Sequence, residues 1–308
     1  MKEYFKDQYN LVVSNYSSHD VGFNNRANII VSDQGKFFQK IYQRLVLGEL
    51  ERVIPVIEYL SKLDFPVPQP VKSVNNNFIV DFQGKPSVLF NYLPGKIKEQ
   101  FSRNELLDVG RNIARLHLSL REYPNLDDFI KNDEDYNSTS WYDHNITLLK
   151  KLGSLESRLI VEEYVKLQKQ KPNEFDLNEL PLSLLHGDFR NENILFQDNK
   201  ITGITDFECM RYDNRIYDII FGVIGFCMLK GNLDKVGMND VLNSYNSISR
   251  LKEGELEAFP FMLKLMTWDK WCSIYVSSEI GLSNKRKSRI KHNHYKRCYL
   301  NIKDDSVL

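Results

Sequence analysis

The stretch from His186 to Glu208, HGDFRNENILFQDNKITGITDFE, constrains this chain more than any other. Ile194–Phe196 and Ile201–Ile204 are short apolar runs, and the turn-prone Gln197-Asp198-Asn199-Lys200 separates them. That pattern predicts a β-hairpin. Closing it sets Asn193 beside Asp206, with Asp188 on the loop just before. A lone Asp-x4-Asn reads more simply as turn chemistry; the Asp-Phe pair at 206 and 207 shifts the balance. An amide and a carboxylate suit Mg²⁺, and a second carboxylate can orient a hydroxyl. Those are the minimal parts of phosphoryl transfer from ATP.

HGDFRNEN resembles the catalytic loop of the protein-kinase-like superfamily, and ITDFE resembles its metal-binding motif. The His-Gly-Asp opening is typical of the aminoglycoside phosphotransferase and choline kinase branch. The resemblance implies an α/β, two-lobed protein-kinase-like fold. A small antiparallel-sheet lobe (1–91) would bind nucleotide, and a larger helical lobe (92–308) would carry catalysis and substrate binding. It also assigns roles. Asp188 would align the acceptor hydroxyl, Arg190 would neutralise the transferring phosphoryl group, and Asn193 and Asp206 would hold Mg²⁺. Glu208 stands where protein kinases have glycine, which implies a constitutively poised site without a switch loop.

Composition narrows the alternatives. The chain has 308 residues, 42% of them hydrophobic, enough to build a substantial core and to argue against disorder. Its 41 basic and 41 acidic side chains give no global field to steer it to nucleic acid or an anionic membrane. MKEYFKDQYN carries no secretory h-region, and the longest apolar run, Ile219–Leu229, is too short to span a bilayer. Cys209, Cys227, Cys272 and Cys298 show no CxxC spacing, which points to reduced thiols in a cytoplasmic protein.

In the first ninety residues, Leu11–Val13, Ala27–Val31 and Lys36–Tyr42 read as strands. By resemblance, the segment Ser17–Asn25 is a reduced nucleotide loop, with Gly22 and Asn24 on the phosphates. Lys40 in FFQKIY reads locally as a solvated edge charge; the resemblance makes it the lysine on the α- and β-phosphates. A helix over Leu45–Leu63 should supply its glutamate, Glu51 in preference to Glu49, with Pro55 interrupting the helix. Phe65-Pro-Val-Pro-Gln-Pro70 reads as an extended connector. VLFNYLPG resembles the hinge that pairs with adenine, through the Asn91 carbonyl and the Leu93 amide.

Beyond it, Ser102-Arg-Asn-Glu105 is a capping box before the apolar stripe Leu106, Val109, Ile113, Leu116 and Leu120. His117 on that helix reads as a packed structural histidine. Asn125–Asn145 reads as a surface loop or a substrate-side insertion, and Ser157–Gln170 as a helix. Asp218 either braces the catalytic loop or simply opens the next helix. Trp268, Trp271 and Tyr275 share a helical face; such stripes are usually core, but by resemblance to choline kinases Trp268 and Trp271 could line a substrate site. The basic run KRKSRIKHNHYKR reads as a solvated helix face rather than a nucleic-acid contact. The expected partner is therefore a small molecule bearing a hydroxyl. Choline or ethanolamine, homoserine and antibiotics (aminoglycosides, macrolides) remain open as acceptors, a nucleotide-binding pseudokinase scaffold is the non-enzymatic alternative, and oligomeric state is undetermined.

Overall fold

The computed structural model describes residues 1–21, 25–43, 47–133, 138–172, 176–282 and 285–303. The chain begins with a short helix, α1 (Lys2–Tyr9), that the sequence reading missed. Strands β1 (Val13–Val21), β2 (Asn25–Ser32) and β3 (Gly35–Tyr42) follow. The first strand is longer than the expected Leu11–Val13. It runs through Ser17 to Val21, which pairs with Asn25. Polar residues are tolerated there because β1 is an edge strand, half open to water. The antiparallel sheet has the order β1-β2-β3-β6-β4, where β4 is Pro70–Val71 and β6 is Lys85–Asn91; β5 (Ile79–Phe82) also pairs with β6. Lys40 therefore lies on a central strand, not an edge. Alternation puts it on the face opposite Ile30, Phe37 and Leu89, which Phe5 and Tyr9 of α1 cover.

Helix α2 (Leu47–Lys62) runs straight through Pro55. An interior proline costs a helix about 3 kcal/mol. Here Leu50, Val53, Ile54, Val56, Ile57 and Leu60 are all buried, and that face offsets the missing hydrogen bond.

The next elements are helical. They are α3 (Arg103–Arg121), α4 (Leu126–Asp133), α5 (Ser138–Leu152) and α6 (Leu155–Gln168). The capping box is made as expected: Ser102 Oγ accepts from the Glu105 amide, and Glu105 accepts from the Ser102 amide. The region read as a surface loop or insertion instead contributes α4 and the start of α5. Phe129 and Tyr142 bury there, and such apolar anchors outweigh a polar average composition. Strand β7 (Leu182–Leu185) leads into the His186 loop. The hairpin follows as β8 (Ile194–Gln197) and β9 (Lys200–Ile204), and β10 (Arg211–Asn214) pairs back with β7. Among the described residues four further helices follow: α7 (Ile216–Cys227), α8 (Lys235–Asn246), α9 (Glu253–Glu279) and α10 (Lys285–Ile302), with a short antiparallel pair, Met228–Leu229 and Asn232–Leu233, between the first two.

Two compact units result. One holds Met1–Lys98 together with Asn193–Met210; the other holds Glu99–Glu192 and the chain from Arg211 on. The first boundary lies at Lys98 rather than at residue 91, and the hairpin returns to the first unit. Backbone bonds explain the return. Lys96 and Phe196 exchange both amide bonds, and the Ile204 amide reaches the Pro66 carbonyl. Among the described residues no helix is long and apolar enough to cross a membrane.

Candidate active site

In the first unit the chemistry gathers on Lys40. Its ammonium sits 2.7 Å from Asp206 Oδ1 and 2.6 Å from Glu208 Oε1. Asn25 Nδ2 donates to the same Glu208 oxygen at 2.6 Å. Burial opposes the Lys40 charge, and the attraction of Tyr42, Asp206 and Glu208 more than reverses it, so the lysine holds its proton more tightly than usual. Burial raises the Glu208 carboxyl, Lys40 pulls it back, and Asp206 raises it again. One cation thus serves two carboxylates and the group keeps a net negative charge.

The hairpin explains how Asp206 reaches that place. Ile194 pairs with Ile204, and Asp198 and Asn199 turn the chain with φ of 50° and 59°. Both values belong to the turn type that matches the twist of two-residue hairpins. At the open end, the Thr205 amide and hydroxyl both donate to the Asn193 carbonyl, 2.9 Å each. Asp206 follows in the left-handed region, φ 69°, and Phe207–Cys209 forms a single tight turn. A non-glycine residue there is uncommon. Phe207, the next residue, is buried, 2% exposed.

Asn193 and Asp206 offer oxygen ligands, which suits a hard cation such as Mg²⁺. The Asp206 side chain is 41% exposed and so open to a ligand, and the net negative charge around Lys40 favours a divalent cation. Among the described residues no cluster of three or more His, Cys, Asp or Glu forms a self-sufficient metal site. The residues fit an ion completed by phosphate oxygens and water.

In the second unit, the loop after β7 is built around Asp218 on α7. Fully buried, Asp218 accepts from the amides of His186 (2.8 Å) and Gly187 (2.9 Å) and from His117 Nε2 (3.2 Å). Burial alone would raise its pKa; the His117 hydrogen bond, the charges of His117 and His186, and the Gly187 amide bring it below the usual carboxylate range. His117 Nδ1 lies 2.9 Å from the Tyr245 hydroxyl. Asp218 can only accept, so His117 carries a proton on Nε2. Burial pushes the Tyr245 hydroxyl up to about 12, keeping it a donor. Gly187, at φ 79°, makes the turn that lets both amides face one carboxylate. The Asp188 amide then donates to His186 Nδ1 at 3.2 Å.

The Asp188 carboxylate receives Arg190 Nε at 2.9 Å on Oδ2, while Lys270 Nζ of α9 lies 3.6 Å from Oδ1. Arg190 also meets Glu192 at 3.1 Å, and Lys291 of α10 meets Glu192 at 2.6 Å. Burial works against the Arg190 charge; Asp188 and Glu192 outweigh it. Gly225 makes the close packing possible, since a Cβ there would lie 2.8 Å from Arg190 Cα.

Several expected site residues fall elsewhere. Glu51 is exposed on α2 and does not meet Lys40, whose carboxylates are Asp206 and Glu208. Its offset along the chain puts it on the solvent side of the helix, while Leu50, Val53 and Ile54 take the inner face. Trp268 and Trp271 are fully buried, and their indole N–H groups donate to the Ile160 carbonyl and His292 Nε2, both at 2.9 Å. They are core residues, not a substrate wall. At the end of β6, the Asn91 amide donates to Gln69 and the Tyr92 amide to Lys36. The Leu93 amide carries no hydrogen bond among the described residues. Gly22 and Asn24 lie outside the described residues. The basic run 285–297 forms most of α10, where Lys291 and Lys296 are ion-paired with Glu192 and Glu156.

The first unit thus ties Lys40 to the aspartate that ends a hairpin, and the second carries an aspartate on a braced His-Gly-Asp loop. Residues 16–233 match the model of the phosphotransferase enzyme family, and the chain belongs to that family. A homoserine kinase of Polaromonas naphthalenivorans is 22% identical over 254 residues, covering 82% of this chain and 78% of the relative. An amicoumacin kinase solved with AMP-PNP, Ca²⁺ and Ami superposes with a TM-score of 0.71 at 16% identity, covering 96% of this chain and 91% of that one. A microcompartment-associated aminopropanol kinase gives a TM-score of 0.71 at 15% identity, over 98% of this chain and 95% of that one. These likenesses establish the protein-kinase-like fold.

Proposed function

We propose that this phosphotransferase uses ATP and Mg²⁺ to phosphorylate a hydroxyl group of a small molecule. The observation that carries the reading is the 2.7 Å contact between Lys40 and Asp206. It joins the lysine of β3 to the aspartate of the Ile-Thr-Asp-Phe-Glu motif, the pair this chemistry needs on the phosphates and the metal. In this reading Lys40 binds the α- and β-phosphates, and Asn193 and Asp206 ligate Mg²⁺. The ion would supply charge neutralisation on the phosphate oxygens. Asp188 accepts a hydrogen bond from the acceptor hydroxyl and aims its oxygen at the γ-phosphorus. Arg190, held against Asp188 and Glu192, keeps that carboxylate in place and contributes positive charge. The backbone at Asn91 and Leu93 serves the adenine, and Gly22 and Asn24 serve the phosphates. Rate acceleration comes mainly from positioning and charge stabilisation.

A nucleotide-binding scaffold without turnover gains no support from the geometry, because Lys40, Asp188, Asn193 and Asp206 are all present and Lys40 is paired. ADP release measured across amino alcohols, hydroxy amino acids, aminoglycosides, macrolides and sugars tests the proposal. At least one class should stimulate release, and Asp188→Ala should lower that stimulated rate by about 10²–10⁴-fold. An Asp188→Ala protein with unchanged turnover would remove the catalytic assignment.

A further inference from the structure

Lys270 has no role in the chemistry assigned so far, yet it is the one residue of α9 whose charge lies on Asp188. Its ammonium sits 3.6 Å from Asp188 Oδ1, well beyond the 2.9 Å at which Arg190 grips the other oxygen. Charged hydrogen bonds ordinarily close to about 2.7–2.9 Å. The contact is therefore loose. Lys270 also lies 4.5 Å above the Phe221 ring of α7 and makes no other ion pair among the described residues. A half-buried cation on a flexible stem, weakly attached to the carboxylate that faces the acceptor, is free to exchange partners.

The surrounding groups favour one kind of acceptor. Glu192, which shares Arg190 with Asp188, already carries Lys291 as well, and Asp269 beside Lys270 on α9 accepts from the Ser273 hydroxyl. Trp268 and Trp271, close to Lys270 in sequence, are sealed in the core, and Trp271 already carries Lys296 over its ring at 5.6 Å. An ammonium on the acceptor would meet occupied acids, whereas an anionic group would meet Lys270. We infer that Lys270 is a specificity-determining residue that binds a carboxylate of the acceptor, so that the substrate is a small hydroxy acid of the hydroxy amino acid type. This rests on the kinase reading above. The transfer itself is unchanged: the acceptor oxygen bonds the γ-phosphorus, the bond to the bridging oxygen breaks, ADP leaves, and the hydroxyl proton passes to Asp188. Binding of the carboxylate would draw Lys270 off Oδ1 and open that oxygen to the hydroxyl.

Matched acceptors that differ by one carboxylate test it: homoserine with 3-amino-1-propanol, threonine with 1-amino-2-propanol, serine with ethanolamine. In one pair or more, the acid should exceed its amino alcohol at least tenfold in kcat/KM. Lys270→Met should collapse that ratio toward one, chiefly through the KM of the acid, and Lys270→Arg should retain most of it. Wild-type ratios at or below one in every pair, or turnover of none of the six, overturn the inference whether or not the variants fold. So does an equal fall in kcat for acid and amino alcohol in Lys270→Met. If other hydroxyl compounds still release ADP, the kinase reading survives that failure; if no compound does and the protein does not bind ATP, the kinase reading fails as well.

Discussion

The two compact units handle their carboxylates in opposite ways. In the second, Asp218 is sealed from water and accepts three hydrogen bonds, each from a donor fixed by the fold. In the first, Asp206 and Glu208 share a single ammonium, and Asp206 stays 41% exposed. The satisfied carboxylate is structural: it holds a loop in one shape. The under-compensated pair keeps a net negative charge that Lys40 does not cancel among the described residues, which leaves room for a cation. A polar group does one job or the other depending on whether the chain itself completes its coordination.

The largest effect expected from this contrast is on turnover. Asp206→Asn should cut ADP release by about 10²-fold or more while leaving the unfolding midpoint equal or slightly higher, because it relieves like charge around Lys40. Steady-state kinetics and thermal unfolding of one preparation check both. A destabilised variant with normal kinetics would show that the pair is structural after all.

Asp218→Asn should do the reverse. An amide cannot accept from all the donors that Asp218 serves, and breaking a buried charged network costs about 3–5 kcal/mol, so the midpoint should fall by several degrees. The pH dependence has a definite sign. The folded-state pKa of Asp218 lies below its unfolded value, so its stabilisation is complete above about pH 4, the usual aspartate value, and is lost as pH falls through the folded value. The stability gap between wild type and Asp218→Asn should therefore narrow on acidification. A gap that stays constant or widens would contradict the assignment.

The smallest effect concerns the partner of Lys40. Glu208→Gln should raise the KM for ATP severalfold, since Lys40 loses one of its two anchors, whereas Glu51→Gln should leave it unchanged. Equal shifts in the two variants would return the question to α2. Crystal structures with and without nucleotide add a sharper check on the same turn: Phe207 should keep one position, and a flipped Phe207 would defeat the constitutively poised reading.

Much of this was legible from local sequence. The hairpin was readable because Ile194–Phe196 and Ile201–Ile204 flank residues that accept positive φ, and the α3 cap because Ser102 and Glu105 stand three apart. The failures share a cause. Helix α2 was judged by Pro55, whose local cost is real, but the buried face decided the outcome. The tryptophans share a helical face by sequence, yet periodicity states only that a face is special, never what covers it. Helix α1 was too short to announce itself until Phe5 and Tyr9 met the sheet.

The sequence by itself determined the chemistry on offer: a family motif, a capped helix, a hairpin, and the oxygen ligands Asn193 and Asp206 at its open end. Those features depend on neighbours along the chain, and short-range sterics and hydrogen bonding suffice to specify them. Only the tertiary structure decided which charges meet. Lys40 found Glu208 rather than Glu51, Asp218 found two amides and His117, and Lys270 came to rest beside Asp188. Each of these contacts joins residues far apart in sequence. Coulomb energy in a partly buried site depends on separations of a few ångströms that no residue pattern encodes.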